Sequence, residues 1–152
     1  DLSKTYSAVD VAAMQLASRV VLVTQLDLPC LGNIVRLLMS FEEIEGISDK
    51  VEIVVNRAGL DSGQISLKKA KETLGREIFA LLPNDYRTMV SVRNNGVPLL
   101  VQAPKAAITI ALKDLVNRLI LGGEIEVTES VAENDTTESR WSKFWPGTKA
   151  KS

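Results

Sequence analysis

At 152 residues, 45% of them hydrophobic and 24% charged, the chain can bury one ordinary globular core, which excludes collagen-like, repetitive and globally disordered architectures. It has no histidine, which removes imidazole general bases, histidine triads and most zinc sites; its single cysteine, Cys30, excludes an internal disulfide framework and fits a reducing compartment. A net charge of -1 argues against an extended basic surface for nucleic-acid phosphates, although a local patch could survive the averaging, and no apolar run approaches a membrane span, so a cytoplasmic protein is expected, with DNA binding a minority reading.

In chain order, Ala8 to Ala17 reads as a helix with Val9, Ala13 and Leu16 on one side. Arg19 is followed by Val20-Val21-Leu22-Val23-Thr24, a β-branched run that reads as a strand buried on both faces. A helix should start near Leu28, because Asp27 can cap it and Pro29 suits a first turn whose N–H has no intrahelical partner. Ile34, Leu38 and Phe41 form its apolar face and Glu42, Glu43 and Glu45 its wet one, while Gly32 weakens it by about 1 kcal/mol relative to alanine.

The second strand, Val51-Glu52-Ile53-Val54-Val55, ends in Asn56-Arg57, and the third, Ile78-Phe79-Ala80-Leu81-Leu82, ends in Pro83-Asn84-Asp85. Between them Ser66 caps a short helix from Leu67 to Leu74, and Gly75 stops it in the left-handed region. Lys68, Lys69 and Lys71 give this helix a solvated basic face. A further helix is predicted from Tyr86 to Asn94, ended by Gly96 and Pro98. The last runs from Ala106 to Leu121, with Ile108, Leu112, Leu115 and Leu119 as its stripe, Lys113, Asp114, Asn117 and Arg118 opposite, and Gly122-Gly123 as its stop.

Alternating strands and helices predict parallel strands with right-handed crossovers: an α/β fold, part of a doubly wound, mainly parallel sheet with helices on both faces. Residues 1–123 form the folded part. The Glu, Thr, Ser and Asn of residues 124–139 have little to bury and read as a disordered linker. The tail, residues 140–152, gathers Trp141, Phe144 and Trp145 among basic residues.

Polar groups at strand C-termini mark the ligand-binding edge of an open α/β sheet. Asp1-Leu2-Ser3, the segment from Ala17 to Pro29, Val55-Asn56-Arg57, Ile65-Ser66, Thr73-Leu74-Gly75, Pro83-Asn84-Asp85-Tyr86 and Asn95-Gly96-Val97-Pro98 follow in order and at characteristic spacing. Together, over roughly Asp1 to Leu121, they resemble the C-terminal half of the MinD/ParA-type P-loop ATPases. The likeness is greatest to the branch that includes the pilus-assembly proteins CpaE and TadZ. No single motif is specific; the ordered series is.

The resemblance implies a base pocket and a magnesium-linked switch. Asp1 looks like the strand-ending aspartate that lies near the γ-phosphate and holds magnesium through a water; a frayed terminal carboxylate is the plain alternative. Ser3 stands where the family usually has proline and Ser18 where aspartate is common, which weakens the switch assignment. Asn56 resembles the residue that hydrogen-bonds adenine, a role its planar donor and acceptor suit, although a strand-end asparagine also serves local backbone groups. Arg57 lies along the base or ribose, or is a solvated cation. Pro83, Asn84 and Asp85 resemble the opposite wall, and Asp85 equally fits as the cap of the Tyr86 helix. Cys30 reads as packing.

The chain starts at Asp1 and contains no G-x-x-x-x-G-K-[ST], so it is expected to be a fragment that neither hydrolyses ATP nor binds it tightly. The parent implied by the resemblance binds ATP and magnesium, is a nucleotide-switched homodimer, and assembles or positions a pilus or secretion machine at the pole or the periphery of the inner membrane. The aromatic tail suggests weak membrane contact through Trp141, Phe144 and Trp145, like the short C-terminal anchor of MinD relatives. A nucleotide-independent scaffold with an ATPase-like fold is the alternative from another class, and a DNA-partition ATPase is the weaker one.

Overall fold

The computed structural model describes residues 7–60 and 63–120. Asp1, the 124–139 linker, the 140–152 tail and the Gly122-Gly123 stop lie outside the described residues. Ser7 opens α1 (Ala8–Leu16) with a capping box: its side chain accepts from the Asp10 N–H at 3.3 Å, and its own N–H donates to the Asp10 carboxylate at 2.9 Å. That box turns Asp10 toward the body, and Met14, one turn on, follows it; both are buried. The expected face was therefore wrong, since Val9 and Leu16 are 77% and 89% exposed. With apolar residues nearly all round α1, helical spacing alone had no face to choose.

The parallel sheet has the order β1 (Val20–Thr24), β2 (Val51–Ala58), β3 (Ile78–Pro83). α2 (Leu28–Glu42) and α3 (Leu67–Leu74) are the crossovers, and they pack on one face with Val51, Ile53 and Val55 of β2. Their ends obey local chemistry as expected. Asp27 accepts the Cys30 N–H at 2.8 Å with Pro29 beside it, Ser66 caps α3, and Gly75 ends α3 at φ 63°. Leu31, Ile34, Leu38 and Phe41 bury the inner side of α2. Lys68 and Lys69 are exposed on α3, and Lys71 pairs with Glu77 at 2.6 Å.

On the other face α6 (Ala107–Ile120) lies over β2 and β3, with Ile108 and Ala111 against Val54, Ala80 and Leu82 and with Leu112 and Leu115 at the margin. Helices thus cover both faces of a parallel sheet. Arg118 does not simply face solvent as expected, because its guanidinium donates to the Phe79 carbonyl at 2.6 Å.

β1 departs from the expectation of burial on both faces. Val20 and Thr24 are buried, but Val21 and Val23, on the α6 side, are 37% and 59% exposed. The cover on that side reaches only β2 and β3, so an apolar strand sequence has one uncovered face. Connections fill in the remainder: a 3-10 turn at Ser48–Lys50 precedes β2, and α4 (Tyr86–Asn95) ends on Gly96 at φ 64°. A short α5 (Leu99–Gln102), absent from the sequence reading, leads to α6.

Candidate functional site

Two departures from regular pairing build the site. β2 runs on to Ala58 rather than ending at Val55, and between the pairs Val55↔Leu81 and Ala58↔Pro83 it carries two residues, Asn56 and Arg57, against one on β3. The bulge re-aims both side chains at the C-terminal edge of the sheet. Arg57 adopts φ 54°, the single positive φ outside glycine among the described residues, a conformation that costs a non-glycine residue about 1–2 kcal/mol.

Asn56, Arg57, Pro83, Asn84 and Asp85 line one cleft of about 290 Å³. All five pocket residues expected from sequence therefore converge, from two neighbouring strand ends. The backbone fixes their spacing, since the Asn84 N–H donates to the Ala58 carbonyl at 3.0 Å. Asp85 also caps α4 by accepting the Thr88 N–H at 3.2 Å, so its two expected positions coincide. Arg57 is exposed at the rim. Asp1 is the one expected site residue the structure does not place.

Leu82, Met89, Ile108 and Leu112 give the cleft an apolar floor and walls, with Tyr86 at the mouth. None of these was expected as a lining residue, because helical spacing had already assigned Ile108 and Leu112 to core packing and carries no information about which end of a helix overhangs a strand edge. The result is a slot with apolar faces and a primary amide at one end. Such a slot suits a flat, partly polar ring.

Asn56 uses part of its amide at home: Oδ1 accepts the Arg57 N–H at 2.9 Å, which leaves the N–H side of the amide for a ligand. Its local backbone role and a ligand role are compatible. Asn56 also borders a second hollow of about 240 Å³, lined with Val23, Thr24, Gln25, Cys30, Asn33, Ile34 and Leu37. There the Asp27 carboxylate, hydrogen-bonded to the thiol, holds the Cys30 pKa above its ordinary value, and burial adds to the effect. A raised pKa means less thiolate, so Cys30 is suited to packing rather than to nucleophilic work. Among the described residues no group of three or more Asp, Glu or Cys could hold a metal ion.

No protein-family model and no curated sequence matches the chain. Solved structures do. A ParA family ATPase from Chlorobium tepidum superposes with a TM-score of 0.66 at 26% identity, over 72% of this chain and 45% of its own. MinD of Pyrococcus horikoshii, solved with Mg-ADP, gives 0.64 at 18% identity, over 84% and 52%. The MinC:MinD cell division complex of Aquifex aeolicus gives 0.60 at 20%, over 78% and 46%. The chain thus spans about half the length of the solved structures it matches. It carries a MinD/ParA-type fold of the α/β, P-loop NTPase-like class.

Proposed function

We propose that the cleft is the base-binding half of an adenine-nucleotide site, and that the chain is the C-terminal half of a MinD/ParA-like ATPase. The observation that carries this reading is the convergence of Asn56, Arg57, Pro83, Asn84 and Asp85 on one apolar slot at the C-terminal edge of a parallel sheet. The Mg-ADP held by the similar MinD of Pyrococcus horikoshii supports it.

The residues of this chain recognise and orient rather than react. Leu82, Pro83, Ile108 and Leu112 exclude water from the faces of the base, and the Asn56 amide donates to an acceptor on its edge. Arg57 lies along the base or ribose. Magnesium, held through Asp1 and a bound water, would supply charge stabilisation at the phosphates. The sequence holds no phosphate loop, so the 152-residue chain by itself neither turns over ATP nor binds it tightly. Robust magnesium-dependent turnover by the purified chain would refute this.

In the intact protein the nucleotide state switches a homodimer, and the switch assembles or positions a pilus or secretion machine, as in the CpaE/TadZ branch. The capture of MinC by the similar Aquifex MinD supports a surface that takes protein partners. Calorimetric titration of the intact protein with Mg-ADP tests the base cleft. Asn56→Ala is expected to weaken binding by about 2- to 10-fold, the loss of one net hydrogen bond, with an unchanged circular dichroism spectrum. Unaltered affinity removes Asn56 from the site.

A further inference from the structure

A single side chain organises the loop that follows the bulge. Gln64 accepts two backbone N–H groups on Oε1, from Gly59 at 2.8 Å and Leu60 at 3.0 Å, and donates from Nε2 to the Arg57 carbonyl at 2.9 Å. These are backbone groups at the point where the β2 ladder stops, so without Gln64 they would have to turn to water. The clamp is itself anchored, because the next residue, Ile65, donates its N–H to the Leu26 carbonyl at 2.8 Å.

The clamp acts on the residue that departs most from ordinary geometry. Arg57 holds φ 54°, and its carbonyl is one of the three groups that Gln64 binds. Its N–H is held by Asn56 Oδ1. Gln64 therefore fixes Arg57 from the C-terminal side while Asn56 fixes it from the N-terminal side. The Asn84 to Ala58 bond holds the other wall of the cleft. Neither Gly59, Leu60 nor Gln64 lines the cleft.

We propose that Gln64 is the positioning residue of the base cleft: its amide, bonded to Arg57, Gly59 and Leu60, keeps the Asn56-Arg57 bulge in its ligand-ready form before nucleotide arrives. The proposal rests on the base-cleft reading above. Its effect is expected on recognition of the base, because the three backbone groups that Gln64 binds belong to Arg57 of the cleft and to Gly59 and Leu60 just after it. Pre-organisation of this kind raises affinity by removing the ordering that binding would otherwise require.

The test uses the intact protein, two ligands and two variants. Gln64→Ala is expected to weaken Mg-ADP by about tenfold, to leave magnesium pyrophosphate binding unchanged, and to abolish hydrogen-exchange protection of the Gly59 and Leu60 amides. Equal weakening of both ligands would show a general structural role and overturn the proposal. So would deprotected amides with unchanged Mg-ADP affinity. Gln64→Glu serves if the alanine variant does not fold: it keeps the two acceptor contacts, loses the donor to Arg57, and should give a smaller selective loss for Mg-ADP. No loss in that variant also overturns the proposal. Asn56→Ala, run alongside, separates the two claims: if it weakens Mg-ADP and Gln64→Ala does not, positioning alone fails, and if it has no effect Asn56 leaves the site and the proposal, which rests on the Asn56-Arg57 bulge, falls with it.

Discussion

Arg118 lies with its guanidinium carbon 5.9 Å from the centre of the Phe79 ring and donates to the Phe79 carbonyl at 2.6 Å. Phe79 is the extra residue of β3 opposite the Ile53–Val54 step of β2, so its carbonyl stands at an irregularity in the ladder. Arg118 completes what the bulge leaves open and ties α6 to β3. Arg19, paired with Glu52, reaches the same ring at 5.7 Å.

Arg118→Ala should therefore destabilise the protein by about 1–2 kcal/mol, from one charged hydrogen bond and one cation–π contact. The bond to Asp114 at 3.2 Å adds little, since both side chains are 29% exposed. Arg118→Lys should recover less than half, because an ammonium lacks the planar fork. Urea denaturation checks this through the midpoint at constant slope. An unchanged midpoint in Arg118→Ala would leave α6 held by its apolar stripe alone.

Gly32 sits inside α2 with ordinary helical φ, and a Cβ added there would meet nothing within 4 Å. Gly32→Ala should stabilise the protein by about 0.5–1 kcal/mol through the lower entropy of the unfolded chain. A thermal melt should move upward by a few degrees, roughly 2–6 °C. A downward shift would contradict the open space at position 32.

Val21 and Val23 leave β1 with an uncovered apolar face, and among the described residues β1 pairs with β2 only. An open strand edge next to exposed valines favours association of copies. The isolated 152-residue chain should self-associate with rising concentration in light scattering, and Val23→Lys should shift it toward monomer without lowering its melting temperature. A sharp monomeric peak for the unmodified chain at high concentration would contradict the exposed-edge account.

Local signals made much of the fold legible, because caps and stops depend on residues within one turn. Asp27 with Pro29, Ser66 with Gly75, and the β-branched runs each carry their own physics, and the structure places them as expected. Asn56, Arg57, Asn84 and Asp85 were legible as polar groups at strand ends, with Pro83 beside them in the ordered series, and the structure brings these five together in one cleft. What was hidden depends on partners far along the chain. The face of α1 was set by a capping box on a helix without a polar side, and the exposure of β1 by how far α6 reaches across the sheet. The Asn56-Arg57 bulge is a question of register between β2 and β3, and Gln64 is a loop residue whose three partners lie up to seven positions back. No periodicity marks either.

Photoaffinity labelling of the intact protein with 8-azido-ADP and magnesium tests the base cleft most directly. The account predicts modification within residues 56–60 or 83–89, suppressed by excess unlabelled ADP. Competable labelling elsewhere, with both cleft segments unmodified, would contradict it.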